Sequence, residues 1–294
     1  MSEMIGKIGM IGLGVMGSAM ARNLVAAGHE VVGYDVEPSR LSTFADFGGE
    51  PAHSAAEVSG LAELVVFSLP TTGALGAVAG EVAEAGPEGL LCLETGTFPL
   101  TDKLAARDVL AGSGIELMDT PLSGTGLQAA DATLVVFASG SEDGFERARP
   151  VFDAIGRSTH YLGEFGNGSK MKYVANLLVA VHGLAAAEAH ALGIAAGLDP
   201  QRVQEVMEDG VGSSKIFEIR GPMMVADDYP AAARLDILLK DSQIIREFAR
   251  SVGAPTPLLD ATVPSYEAAS EAGLGDLDAA ALCRYLEELG GLER

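Results

Sequence analysis

Residues 5–35 read IGKIGMIGLGVMGSAMARNLVAAGHEVVGYD, and the order of local signals in this stretch decides the fold. IGKIGMI (5–11) is a short apolar run of the kind found in parallel strands buried on both faces. Gly12-Leu13-Gly14-Val15-Met16-Gly17 comes next, then the helical segment SAMARNLVAAG closed by Gly28, then a second apolar run, EVVGY, ending in Asp35. A G-x-G-x-x-G segment carries little weight alone, but between a strand and a helix it has a mechanical meaning. Gly12 permits the tight turn, Gly14 lets backbone N–H groups approach a pyrophosphate, and Gly17 allows the helix to pack closely on the strand. The helix then turns the positive end of its dipole toward the phosphates. A carboxylate at Asp35 accepts hydrogen bonds from adenosine ribose hydroxyls and repels a 2′-phosphate, which favours NAD. Arg40 is the counter-feature, since a nearby guanidinium suits NADP.

Working outward, strand and helix patterns keep alternating. A helix is expected at about 38–47, a short strand near Glu50, a helix from Ser54, and strands at AELVVFSLP (62–70), GLLCLETGT (89–97), IELMDTP (115–121), ATLVVFASG (132–140) and STHYLG (158–163). Strand ends in such sheets line the cofactor crevice. Leu69 and Pro70 are therefore expected to border the adenosine, and Thr97 to reach the nicotinamide ribose or the substrate. Ser123, Gly124 and Thr125, in the Asp119-Thr120-Pro121-Leu122-Ser123-Gly124-Thr125 segment, offer a hydroxyl and backbone N–H groups, a compact arrangement for a carboxylate.

The stretch GNGSKMKYVANLLVAVHGLAAAEAHALGIAAGL (166–198) is free of Pro and rich in Ala and Leu. It reads as one helix of about 30 residues, roughly 45 Å long. The chain after it reads as helix only. The expected architecture is an α/β, Rossmann-type doubly wound sheet over 1–164 and an all-helical domain over 165–294, with the long helix as the joint. Lys172 and Asn176 lie four residues apart near its start, hence on one face. Lys170 and Lys172 point about 200° apart, so only one of them can serve a site.

Composition narrows the partners. The 294 residues are 48% hydrophobic and carry 19 Lys+Arg against 41 Asp+Glu, a net charge of −22. A surface this acidic disfavours nucleic acid and anionic membranes, and an anionic substrate needs a locally positive pocket. Cys92 and Cys283 are far apart, which argues for a reducing compartment rather than a disulfide framework. The five His residues are scattered, with no metal-ligand spacing. The first strand begins almost at the N-terminus, and uninterrupted apolar runs are shorter than the roughly 20 residues of a bilayer span. A cytoplasmic protein is expected.

Four ordered blocks resemble the β-hydroxyacid dehydrogenases, the group that includes 3-hydroxyisobutyrate dehydrogenase, tartronate semialdehyde reductase and 6-phosphogluconate dehydrogenase. They are GLGVMGSAMARNLVAAGHEVVGYD, DTPLSGT (119–125), GNGSKMKYVAN (166–176) and Lys240-Asp241. The resemblance covers nearly the whole chain. It implies that Lys172, not Lys170, is the catalytic lysine, that Asn176 assists it, that Ser123 and its neighbours bind substrate, and that Lys240 lies near the cofactor. Three departures bear on the substrate rather than on the chemistry. Thr125 stands where the family has a second Gly, Ala175 replaces the first Asn of a pair, and Gly96-Thr97 replaces Ser-Thr. Gln128, in the same segment as Thr125, is expected to reach a substrate.

The implied activity is reversible hydride transfer between NAD and the hydroxyl carbon of a small 3-hydroxy acid, 3-hydroxyisobutyrate-like or of the glycerate–semialdehyde type, with Lys172 as general acid/base. Two rivals are an imine reductase of the same architecture and a non-catalytic NAD-binding sensor. The set of Ser123, Lys172 and Asn176 counts against both. The apolar surface of the helical half implies a homodimer or homotetramer.

Overall fold

The structure, a computed structural model, describes residues 6–292. Ile5 of the first expected strand, and the outermost residues of both expected domains, lie outside them. The chain divides into two compact units, residues 1–172 and 173–294.

In the first unit, β1 (Ile8–Ile11), β2 (Val31–Tyr34), β3 (Glu50–Pro51), β4 (Leu64–Phe67), β5 (Leu91–Glu94) and β6 (Glu116–Asp119) form one sheet in the order β3-β2-β1-β4-β5-β6. Every pairing is parallel, with Ile8 beside Val31 on one side and Leu64 on the other. The helices between them are α1 (Val15–Ala26), α2 (Pro38–Asp46), α3 (Ala55–Leu61), α4 (Thr72–Ala85) and α5 (Leu100–Ala111). Side chains alternate faces along each strand. Leu64, Val66, Leu91 and Leu93 pack in one core with Met20 and Leu24 of α1, whereas Val65, Phe67 and Cys92 pack in another with Val58, Leu75, Ala79 and Leu110. This is why the strands are apolar throughout rather than alternating. The strand order reverses between β1 and β4, which opens a crevice at their carboxyl ends.

A smaller sheet follows, made of β7 (Leu122–Ser123), β8 (Leu134–Ala138) and β9 (Gly156–Tyr161), with α6 (Gly126–Ala130) and α7 (Glu142–Ile155) between its strands. β7 runs antiparallel to β8, and β8 parallel to β9. The expected strand over 115–121 stops at Asp119, two residues before Pro121, which has no N–H to give to a ladder. The chain then turns into β7 and the short α6, which composition and periodicity did not announce. Ala132, at the exit of α6, adopts φ +52°, a left-handed backbone that suits glycine.

Lys103 of α5 is fully buried. Its Nζ lies 2.5 Å from Glu94 Oε2 and 2.8 Å from Asp119 Oδ1, and donates to Gly96 O at 2.7 Å. Burial pulls the Lys103 ammonium down, but the Asp119 and Glu94 carboxylates outweigh it and hold it above its ordinary range. Glu94 is pushed up by its burial, with Lys103 opposing. The group ties the ends of β5 and β6 to α5.

The helix α8 (Asn167–Ala195) passes from the first unit into the second. By length and composition it is long and apolar enough to cross a bilayer, a test that core helices also pass. Tyr173, Ala180, Leu184 and Ala187 on it belong to the second unit's core, with Phe217, Met224, Leu235, Ile245, Val263 and Tyr266. Those residues come from α10 (Lys215–Ala226), α11 (Leu235–Ser251) and α12 (Pro257–Ala269). The helices α9 (Pro200–Glu208) and α13 (Leu282–Gly290), with short helical turns at Ser270–Leu274 and Ala279–Ala281, also belong to the unit. As its position suggests, Asp199 caps α9, accepting from Arg202 N–H, with Pro200 opening the helix.

Two stability outcomes follow. Lys103→Met strands two buried carboxylates and is expected to cost about 3–5 kcal/mol in urea unfolding. The stabilisation from Lys103 is fully present below the ordinary lysine pKa of about 10.4 and fades only as pH climbs through its higher folded-state value. Ala132→Gly removes the left-handed strain and should add about 0.5–1 kcal/mol, read in the same titration.

Candidate active site

The Gly-rich turn is shaped by contacts that exclude side chains. Gly12 has φ +92°, and a Cβ there would lie 2.2 Å from Ser68 O. A Cβ on Gly17 would lie 1.9 Å from Gly12 O, so α1 rests directly on the turn. Around Gly14, by contrast, a Cβ would meet nothing within 4 Å. No side chain caps α1, whose first N–H groups follow Gly14. Open space beside uncapped N–H groups at a helix start suits a pyrophosphate, so these residues fit the dinucleotide expected of them. Leu13 is buried in the core and Val15 is exposed, while Met16 packs partly buried against that core.

Asp35, at the end of β2, holds the turn from behind. Its Oδ2 accepts from Leu13 N–H at 2.7 Å and its Oδ1 from Glu37 N–H at 2.9 Å. The half-exposed Arg40 guanidinium reaches both oxygens, at 3.2 and 3.3 Å. The two residues that pull cofactor choice in opposite directions are therefore paired with each other.

The neighbouring strand ends reach the same edge of the sheet. Leu69 is half-buried and Pro70 exposed just beyond β4. Thr95 Oγ1 donates to Phe67 O at 2.7 Å, which fixes the loop that carries the half-buried Thr97.

The segment from Asp119 to Gln128 lies beside the Gly-rich turn. A Cβ on Gly126 would meet Val15 Cγ1 at 2.8 Å, and Asn23 Nδ2 of α1 donates to Ala129 O at 2.7 Å. Ser123 is half-buried at the end of β7. Gly124 has φ +144°, and a Cβ there would meet Leu134 Cδ2 at 2.7 Å. Gln128, expected to reach a substrate, has its carbonyl committed locally. Oε1 accepts from Thr125 N–H at 2.7 Å and from the Thr125 hydroxyl, so the pair forms a reciprocal cap on α6. Thr125, which stands where the family has a glycine, and Gln128 thus satisfy each other first.

Along α8, Ser169, Lys172 and Asn176 are buried, whereas Lys170 is exposed and donates to Asn167 Oδ1 at 3.0 Å. The 3-4 spacing puts the three buried residues on one stripe. Asn176 Nδ2 donates to Asp241 Oδ2 at 2.7 Å, and Lys240 Nζ lies 3.0 Å from Asp241 Oδ1. Asp241 is buried and Lys240 half-exposed. Asp241, for which the sequence suggested no role, orients the Asn176 amide. Nothing in the order of residues tells which helix will answer Asn176 across 65 positions. Lys172 closes the first unit, while Asn176, Lys240 and Asp241 belong to the second.

The NAD binding domain of 6-phosphogluconate dehydrogenase matches residues 7–163, and the NAD-binding domain of NADP-dependent 3-hydroxyisobutyrate dehydrogenase matches residues 166–286. The chain is 36% identical to L-threonate dehydrogenase of Cupriavidus necator, over 94% of this chain and 95% of that one. It is 29% identical to 2-(hydroxymethyl)glutarate dehydrogenase of Eubacterium barkeri, over 97% and 96%. The crystal structure of a 3-hydroxyisobutyrate dehydrogenase from Salmonella typhimurium superimposes with a TM-score of 0.88 at 30% identity, covering 95% of this chain and 99% of that one. Together with the open Gly14 turn and the buried stripe on α8, these matches settle the assignment: the chain belongs to the β-hydroxyacid dehydrogenase family of NAD(P)-dependent oxidoreductases.

Proposed function

We propose that the chain catalyses reversible hydride transfer at the hydroxyl carbon of a small 3-hydroxy acid, with Lys172 as the general acid/base and NAD preferred over NADP. The observation that carries this is the contrast between two lysines two residues apart: Lys170 is exposed, and Lys172 is buried on the stripe that holds Asn176. Similarity to dehydrogenases of L-threonate and 2-(hydroxymethyl)glutarate supports a hydroxy acid as substrate.

Bound NAD supplies the hydride acceptor. The chain's own residues do the rest. Lys172 takes the hydroxyl proton during oxidation and returns it during reduction, a step for which an amine is suited once its pKa approaches the working pH. Asn176, held by Asp241, orients the amine or the substrate hydroxyl. Ser123 and the Gly124 and Thr125 backbone receive the carboxylate, which lets a strongly acidic protein hold an acid. Gln128 stiffens that loop through Thr125. Lys240, beside Asp241, is assigned to the cofactor. Gly12, Leu13, Gly14, Val15, Met16 and Gly17 would border the pyrophosphate, Leu69 and Pro70 the adenosine, and Thr97 the nicotinamide ribose or the substrate.

The preference for NAD is supported by the pairing of Arg40 with Asp35. A 2′-phosphate needs Arg40 to leave both carboxylate oxygens, and then meets the Asp35 charge. An imine reductase or an NAD-binding sensor has no use for the Ser123, Lys172 and Asn176 set. The buried thiols Cys92 and Cys283 support a reducing, cytoplasmic setting. Exposed Met171, Val174, Leu178 and Leu192 on α8 support assembly as a homodimer or homotetramer.

Two assays test the reading. With NADH absorbance followed across a panel of hydroxy acids and semialdehydes, Lys172→Ala should lower kcat about 10²–10⁴-fold, leave NADH affinity unchanged, and contrast with Lys170→Ala at the parent rate. Turnover unchanged by Lys172→Ala rejects it. Asp35→Ala should shift the NADP/NAD ratio of kcat/KM toward NADP by roughly tenfold, the factor that about 1.4 kcal/mol represents. An unmoved ratio removes Asp35 from cofactor choice.

A further inference from the structure

The start of α8 is held in an unusual way. Asn167 N–H donates locally to Glu164 O, but the next two N–H groups are answered by groups far away in the sequence. Gly168 N–H donates to Ser139 Oγ at 2.9 Å, and Ser169 N–H to Asp119 Oδ2 at 2.7 Å, 50 residues distant. Ser169 Oγ then donates to the other oxygen of the same carboxylate, Asp119 Oδ1, at 2.8 Å. One hydrogen bond at a helix end leaves the helix able to turn about its axis. Two bonds from one residue to both oxygens of one carboxylate do not, provided that the carboxylate is itself fixed. Asp119 is fixed: Lys103 Nζ grips Oδ1 at 2.8 Å, Ser139 Oγ reaches Oδ2 at 3.3 Å, and its backbone pairs with Ser139 in both directions. Lys103 is in turn fixed by Glu94 and by Gly96 O.

A second feature points the same way. A Cβ on Gly168 would lie 2.3 Å from Phe137 O and 2.7 Å from Asp119 O. The helix start is pressed onto the ends of β6 and β8, so it can neither slide nor tilt without losing these contacts. Ser169 and Lys172 are three residues apart, on the same side of the helix and about 4.5 Å apart along its axis. A rotation by one residue, about 100°, would replace Lys172 by Met171 or Tyr173.

We infer that Asp119 and Ser169 are positioning residues that set the rotation of α8 and thereby aim Lys172. This rests on the reading of Lys172 as the proton-transfer group. Neither residue touches the reacting atoms. They act through the helix, and the Glu94–Lys103 pair keeps the carboxylate they share in place.

The test uses the full chain, the hydroxy acid with the highest turnover in the panel, and four variants. Ser169→Ala keeps the N–H bond and removes the hydroxyl bond. It is expected to fold and to bind NADH like the parent, with kcat lowered roughly tenfold and KM within about twofold, since small misplacements of a reacting group cost rate rather than affinity. Ser169→Thr keeps a hydroxyl and should restore kcat. Asp119→Asn, which cannot accept from Ser169 N–H through its amide nitrogen, should lose about 10²-fold. Parent kcat in Ser169→Ala, or a loss that appears in KM and NADH affinity instead, overturns the inference. Lys172→Ala run in parallel separates the two claims. An inactive Lys172→Ala beside a fully active Ser169→Ala removes only the positioning role. A fully active Lys172→Ala removes the reading of Lys172 and the positioning role together.

Discussion

A carboxylate in a dry interior must be matched by donors on every side, and Asp119 is matched by four: Lys103 Nζ, Ser139 Oγ, Ser169 N–H and Ser169 Oγ. These donors come from three places that sequence keeps apart, namely α5, the end of β8 and the first turn of α8. Because the charge cannot be left unpaired, these places are obliged to meet. The end of β6 becomes the point at which the parallel sheet, the small sheet and the long helix are joined. Glu94 extends the same group to β5 through Lys103. Burial opposes each of these charges separately and tolerates them only as a set, so the cluster specifies an arrangement more than it adds net stability.

Asp35 does related work at the other end of the crevice. It faces a backbone N–H of the Gly-rich turn rather than a helix start, and so fixes where the turn lies relative to β2. The turn itself is sculpted by absence. Gly12 and Gly17 leave no room for a Cβ, while Gly14 faces open space. Gly12 and Gly17 serve packing, and Gly14 leaves a face free for phosphate. One motif thus holds two kinds of requirement, steric closeness to the protein and steric openness to a ligand.

The loop over residues 123–128 shows how a family position can change character without exposing new chemistry. Where a second glycine is usual, Thr125 adds a hydroxyl to the backbone N–H, and Gln128 answers both. A polar replacement in a partly buried loop has to be satisfied first by its neighbours. This makes the loop stiffer at the point where Ser123 and Gly124 present their groups. The same logic holds on α8, where Asn176 is satisfied by Asp241 and its amide is thereby directed.

The sequence by itself determined the doubly wound sheet, the long helix and the helical second half, because hydrophobic period and glycine, proline and cap positions are local signals that survive in one dimension. It also marked the Gly-rich turn, Asp35, Ser123 and Lys172, whose residue types and spacings are tied to neighbours a few positions away. Only the tertiary structure decided what each buried polar group is paired with. Nothing in the local pattern marked Lys103 and Glu94 as a buried pair, or Asp241 as the partner of Asn176. Gln128, expected to reach a substrate, has its carbonyl engaged by Thr125. Each of these outcomes depends on which partner the fold brings close, from three positions away for Gln128 to 65 for Asp241. The free energy of an unpaired buried charge depends on three-dimensional surroundings that no local pattern encodes.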